Sequence, residues 1–138
     1  MCQESTESTI VFRILGGNGF LSLKTNNEWV QAAQALPWTR LEEMCGLDFA
    51  RNSGADACAF RTALCALMLM ARYGYNDEDL VAQLEMNPYY QYFIGMEAYA
   101  QTIDLNAERL KSLRKAVTTD MLALVRRSIR ECASQAGG

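Results

Sequence analysis

Seven basic side chains stand close together near the end of this 138-residue sequence. They are Arg109, Lys111, Arg114, Lys115, Arg126, Arg127 and Arg130. Lysine and arginine bind phosphate groups, so a helix that presents several of them can lie along a nucleic-acid backbone. Lys111, Arg114 and Lys115 would share one side of an ideal helix, because their spacing is i, i+3 and i+4. The pattern is compatible with DNA contact, although a short basic helix is more often a solvated surface.

The distribution of charge separates this basic region from the rest of the chain. Residues 105–138 contain seven Lys/Arg and three Asp/Glu, a net charge of +4, whereas residues 1–104 contain six and thirteen, a net charge of −7. The basic end favours an anionic partner. The acidic part fits a basic protein surface instead, so a helical module for protein–protein contact is the second hypothesis.

Other kinds of site lack the residues they need. Histidine is absent, and the five cysteines are scattered without a C-x-x-C spacing, so no metal site is expected. The acidic run Asp77, Glu78 and Asp79 is explained by a helix start, where the macrodipole favours negative charge. The glycine-rich run at 16–19 lacks the Gly-Lys-Ser/Thr of a phosphate loop. We expect no cofactor in this chain and no catalysis by it alone.

Capping residues divide most of the sequence into helices. Asn27 predicts the start of a helix that Pro37 ends. Thr39 and Glu42 match a capping box for a short helix over residues 41–45, and Gly46 fits the left-handed position after its end.

The predicted core helix covers residues 57–73, starting after Asp56 and closed by Gly74. Its sequence CAFRTALCALMLMA is apolar on nearly every side, so this longest predicted helix should be the one that the others surround. Asn76 predicts the start of the next helix.

The string NPYYQYF, residues 87–93, predicts a second helix start. Asparagine caps helices well, and proline is tolerated at the first helical position. Tyr89 and Phe93 are predicted on one side of this helix, and Tyr92 with Met96 on another. Burial of large aromatic area explains the string best, and stacking of unpaired bases is the weaker alternative.

The remaining elements are two helices at one end and two strands at the other. Asn106 predicts a helix over residues 107–117, and Thr118 or Thr119 predicts one over residues 120–133. Two β-prone runs, at 10–15 and 20–23, flank a Gly-Gly-Asn-Gly turn and predict a short hairpin or an extended arm.

These elements predict an all-α, compact multi-helix domain with a helix-turn-helix-like unit. We divide the chain into a flexible arm (1–25), a helical domain (26–134) and a frayed end or linker (135–138). The longest apolar run is nine residues, too short for a membrane span, and the N-terminus lacks the pattern of a signal peptide. A cytoplasmic location is expected.

Three stretches resemble the N-terminal helical domain of bacterial insertion-sequence transposases of the DDE type. They read NNEWVQAAQALPWTRLEE, FRTALCALMLMARYGYNDEDLVAQLEMNPYYQYFIGMEAY and LKSLRKAVTTDMLALV. The resemblance covers about residues 21–130. The stretch IDLNAERLKSLRKAV departs from the family pattern at two points: Leu105-Asn106 replaces an Asp/Pro start, and Leu113 stands where Phe is common.

The resemblance implies a DNA-binding and assembly domain that acts in DNA recombination by transposition. In that family, catalysis belongs to a ribonuclease-H-like domain whose three carboxylates hold divalent metal, and we expect that domain and its metal to lie outside this chain. Double-stranded DNA at element ends is the expected partner, together with a second copy or the catalytic domain of the same transposase. A truncated transposase that inhibits transposition is a further alternative.

Overall fold

The described chain folds into a two-stranded hairpin followed by seven helices. The computed structural model describes residues 8–137, and side chains as far as Cys132. The strands are β1 (Thr9–Arg13) and β2 (Phe20–Lys24), and the helices are α1 (Glu28–Ala35), α2 (Trp38–Ser53), α3 (Ala59–Tyr73), α4 (Asp77–Met86), α5 (Pro88–Phe93), α6 (Ala107–Lys115) and α7 (Thr119–Gly137). This architecture confirms the predicted helical class with a short N-terminal hairpin.

The hairpin packs on the helices through one face. Its strands pair antiparallel, with Phe12 opposite Leu21, and Phe12 and Leu23 are buried against Val30 of α1. The Tyr89 hydroxyl accepts a hydrogen bond from the backbone N–H of Lys24 at 3.0 Å. Residues 9–24 therefore form a packed hairpin and not an extended arm, and residues 1–7 of the predicted arm lie outside the described residues. The three-part division of the chain stays a prediction.

α3 is the central helix, as its apolar sequence predicts. Its buried residues are Phe60, Ala63, Leu64, Cys65, Ala66 and Leu69. Cys65 and Leu69 belong to a cluster with α1, α4 and α5, while Phe60 and Leu64 belong to one with α2 and α7. α3 is not the longest helix, since α2 has 16 residues and α7 has 19 against 15 in α3.

The prediction of a short helix that ends at Gly46 is wrong. α2 continues to Ser53 and ends at Gly54, whose φ is +74°. Gly46 lies inside the helix and is buried, because Ala57 packs against it so closely that a Cβ on Gly46 would come within 2.9 Å of the Ala57 Cβ. The predicted capping box does not form either, because the helix begins one residue before Thr39 and has no side-chain cap.

The asparagine caps are confirmed, whereas Asp56 does not cap α3. The side chains of four asparagines accept hydrogen bonds from backbone N–H groups of the following turns: Asn27, Asn76, Asn87 and Asn106. α3 begins at Ala59 without a side-chain cap, and Asp56 offers only its carbonyl to the Ala59 N–H. Gly74 closes α3 with φ +75°, as predicted.

α7 begins as predicted and runs further. The Thr118 hydroxyl oxygen accepts a hydrogen bond from the Met121 N–H at 3.2 Å, and the helix continues past residue 133 to Gly137. Within the described residues, no helix has the length and apolar content needed to cross a membrane.

Candidate nucleic-acid interface

The predicted basic residues lie on α6 and α7, and all but one are exposed. α6 carries Arg109, Lys111, Arg114 and Lys115, and α7 carries Arg126, Arg127 and Arg130. Of these seven, only Arg114 is partly buried. α6 packs on α3 and α4, and it buries Leu110 and Leu113 on its inner side. Because Leu110 and Leu113 face the interior, Lys111 and Lys115 point outward.

Arg114 forms an ion pair with Asp77 of α4. Its Nε and Nη2 donate to the two carboxylate oxygens of Asp77 on α4, each at 2.8 Å. The exposed fractions of the two side chains are 27% for Arg114 and 13% for Asp77. This two-pronged ion pair joins the last turn of α6 to the first turn of α4. The predicted sharing of one exposed side by Lys111, Arg114 and Lys115 is therefore only partly realised.

The same ion pair shapes the electrostatics of this region. Hydrogen bonds from Arg114 hold the pKa of Asp77 below its usual value, and the positive charges of Lys111 and Lys115 lower it further. The hydrogen bonds to Asp77 raise the pKa of Arg114 in turn. Asp77 is thus ionised and occupied by Arg114 near neutral pH, while Lys111 and Lys115 are exposed and form no ion pair with any described residue.

The three arginines of α7 lie on the side of the helix that faces away from the core. Met121 and Val125 are buried in the cluster that contains α2, whereas Arg126, Arg127 and Arg130 are exposed. Arg130 follows Arg127 by three residues and Arg126 by four, so its side chain lies next to both on the helix. None of the three forms an ion pair within the part of the chain that the structure describes.

α6 and α7 are joined by a short, fixed turn at residues 116–118. Ala116 is buried, and its carbonyl accepts a hydrogen bond from the Asn52 side chain of α2 at 3.2 Å. The Thr118 cap then starts α7. The basic residues of the two helices therefore belong to one packed substructure with α2 beneath it.

Arg109 lines a cleft between α3, α6 and the segment that connects α5 to α6. The cleft has a volume of about 310 Å³. Its lining is mostly apolar, with Ile94, Met96, Ile103 and Leu105 among the side chains that form it. Asp104 also lines the cleft, so the charge beside Arg109 is mixed.

The helix before this cleft is held by a buried glutamine that sequence reasoning did not identify. Gln91 is fully buried. Its amide nitrogen donates to the carbonyls of Leu84 and Ala100, and its amide oxygen accepts from the Ala100 N–H, all at 2.8 Å. One side chain thereby ties α5 to the end of α4 and to the connecting segment. A glutamine within an aromatic string was the available signal.

Arg61 of α3 secures the other end of α5. Its Nε and Nη2 donate to the Phe93 carbonyl at 3.1 and 2.9 Å, and its guanidinium lies 4.3 Å from the centre of the Trp38 ring. Gly95 has φ +98°, and a Cβ there would come within 2.9 Å of the Arg61 Nε. Arg61 is a structural group that satisfies the last carbonyls of a short helix.

The aromatic string packs in the interior, as predicted, but with a different division of its sides. Tyr90 and Phe93 join Trp29 in the central cluster, with the Trp29 and Phe93 ring centres 4.8 Å apart. Tyr89 packs against the hairpin with Tyr92, so the predicted pairing of Tyr89 with Phe93 is wrong. The hairpin and α1 approach α5 from two directions, which sequence periodicity alone does not reveal.

The arrangement of α4, α5 and α6 bears on the predicted helix-turn-helix unit. α4 packs on both α5 and α6. Only Asn87 separates α4 from α5, whereas residues 94–106 separate α5 from α6, which is much longer than the three- or four-residue turn of the usual motif. The helix-turn-helix assignment therefore stays a prediction. Among the described residues, no group of three His, Cys, Asp or Glu side chains is placed to hold a metal ion.

Comparison with known proteins addresses the family. The profile of a family described as Transposase domain (DUF772) matches residues 20–115. The chain is also 30% identical over 108 residues to a Rhizobium meliloti protein described as "Uncharacterized protein ORF8 in nfe locus". That match covers 78% of this chain and 52% of the relative, so the chain spans about half the length of this curated protein. No solved structure matches the chain.

The family match includes every helix from α1 to α6, and it confirms the resemblance to transposases. The chain therefore belongs to the transposase-domain family DUF772.

Proposed function

We propose that this domain binds double-stranded DNA for a transposase through the exposed cations of α6 and α7. The observation that carries the proposal is the exposure of six of the seven basic residues on these two consecutive helices. They are Arg109, Lys111, Lys115, Arg126, Arg127 and Arg130. Arg114 is left out of this set because its guanidinium is hydrogen-bonded to Asp77.

The physical basis is the attraction between a cluster of cations and the phosphate backbone. Contacts of this kind supply affinity and orientation, and each neutralised phosphate releases bound counterions. The acidic remainder of the chain would be repelled by DNA, so α6 and α7 would face the duplex while the rest points away. We assign this chain no catalysis and no cofactor. Catalysis is assigned to the metal-dependent domain expected in the family.

A second candidate function, contact with another protein, has one specific observation in its favour. The hairpin leaves three large apolar side chains exposed: Val11 at 64%, Leu15 at 58% and Phe20 at 65%. Trp29 and Tyr90 are buried, so neither adds to an exposed apolar surface. Assembly with a second copy or with the catalytic domain would place these hairpin residues in the interface.

The test is fluorescence anisotropy of a labelled duplex of about 30 base pairs, titrated with the protein at several salt concentrations. The plot of log K against log salt should have a slope of roughly −0.9 for each phosphate contacted. Lys111→Gln with Lys115→Gln should weaken binding and make this slope shallower. The matched control is Arg13→Gln with Arg51→Gln, which removes the same charge from exposed positions on β1 and α2.

The two double variants separate a defined interface from general charge attraction. Equal loss of affinity in both would contradict the assignment to α6. Absence of binding by the unchanged protein, even at low salt, would overturn the proposal and favour the protein-contact function.

A further inference from the structure

Arg114 is the only one of the seven basic residues of α6 and α7 that is partly buried. It is also the only one of them that forms an ion pair with a carboxylate among the described residues. Arg114 lies between Lys111 and Lys115 in α6, in the last turn of a nine-residue helix. Helices of this length are marginal by themselves and depend on tertiary contacts. Leu110 and Leu113 supply such contacts on the inner side, and the pair of Arg114 with Asp77 supplies one at the end.

We propose that Asp77 is a positioning residue for DNA binding, which acts through Arg114 to hold the last turn of α6 and with it Lys115. Arg114 then has a structural role, as the ion-pair partner of Asp77, and does not contact phosphate. This inference rests on the proposed function, because it assigns parts within the same interface.

The geometry favours a structural role for Arg114 over a contact with phosphate. Both carboxylate oxygens of Asp77 receive a hydrogen bond, and the planar guanidinium fork matches a carboxylate in this two-pronged manner. Release of Arg114 to a phosphate would leave the mostly buried Asp77 carboxylate without its partner. Lys111 and Lys115 face no such competition, since both are exposed.

The two roles predict opposite signs for one substitution. Asp77→Asn removes a negative charge beside the interface, so simple electrostatics would strengthen DNA binding. A positioning role predicts the reverse, a loss of affinity of about fivefold with an unchanged salt slope. Glu78→Gln is the matched control, because Glu78 is exposed in the same first turn of α4 and its loss changes the net charge equally.

Arg114→Lys gives the second comparison. Lysine retains the charge but not the planar fork. If Arg114 has the structural role, lysine would replace it poorly. The Arg114→Lys variant should then have the same DNA affinity as Asp77→Asn. A phosphate contact would tolerate lysine, and Asp77→Asn would then bind DNA more tightly than the unchanged protein, which would overturn the proposal.

A measurement without DNA keeps the inference separate from the proposed function. Amide hydrogen exchange of residues 110–117 should be faster in Asp77→Asn and Arg114→Lys than in Glu78→Gln. Unchanged exchange there would overturn the positioning role. If the unchanged protein fails to bind DNA at low salt, the proposed function fails, and the hydrogen exchange still decides whether Asp77 holds the end of α6.

Discussion

Two short helices of this domain handle their polar groups in opposite ways. α5, with six residues, turns Gln91 inward, where it forms three hydrogen bonds to backbone groups of neighbouring segments. In α6, which has nine residues, Lys111 and Lys115 point outward, and Arg114 donates two hydrogen bonds to Asp77 of α4. The polar side chain of the NPYYQYF string therefore stabilises the fold, whereas Lys111 and Lys115 of α6 are exposed to solvent.

This comparison predicts a graded series of effects on stability. The buried polar groups around α5 should matter most, the half-buried ion pair of α6 should matter less, and the exposed lysines should hardly matter.

The largest effect is expected for Gln91→Leu. The substitution leaves the N–H and carbonyl of Ala100 and the carbonyl of Leu84 without the side-chain partner they have in the interior. We expect a loss of about 3 to 5 kcal/mol in the free energy of unfolding, measured by urea denaturation. The exposed Gln34→Leu in α1 is the control and should change it by less than about 0.5 kcal/mol. Similar losses in both variants would refute the role of Gln91.

The next effect is expected for Gly95→Ala. A methyl group there would meet the Arg61 side chain, and the backbone has a positive φ. We expect a loss of about 2 to 3 kcal/mol, whereas Gly54→Ala, which also has a positive φ but open space around it, should lose about 1 kcal/mol. Thermal or urea unfolding of both variants gives the comparison. Equal losses would show that the contact with Arg61 contributes nothing.

A smaller, pH-dependent effect is expected for Asp77→Asn. The pKa of Asp77 is lowered in the folded protein by hydrogen bonds from Arg114, so the pair contributes stability above the unfolded pKa of about 3.9 and loses it as pH falls through the folded pKa. The unchanged protein should exceed the variant by about 1 to 2 kcal/mol at pH 7. This difference should shrink in acid, as urea unfolding from pH 7 to pH 3 would reveal. A constant difference across that range would argue against the ion pair as its source.

The smallest effect on stability is expected for Lys111→Gln with Lys115→Gln. Both side chains are exposed, so the free energy of unfolding should change by less than about 0.5 kcal/mol. A stable variant with weakened DNA binding would complete the contrast with Gln91→Leu. A large destabilisation would instead give these lysines a structural part.

Elements with local signals could be predicted from the amino-acid sequence. Asparagine caps fixed the starts of α1, α4, α5 and α6, because a cap needs only its own side chain and the next turn. The apolar run of residues 63–71 predicted α3 as the core, and the second of the three stretches, which contains NPYYQYF, indicated the transposase family.

Features that depend on residues distant in the sequence became visible only in the folded chain. Gly46 is a helix stop by local rules, yet it lies within α2 because Ala57 packs against it. Gln91 looks like an ordinary polar residue until the segment at Ala100 closes over it. Arg114 belongs with the exposed cations by spacing, but Asp77, 37 positions earlier, removes it from that set. Contacts between distant segments carry no periodic or capping signal, so the folded arrangement alone separated cations that bind inward from those that face solvent.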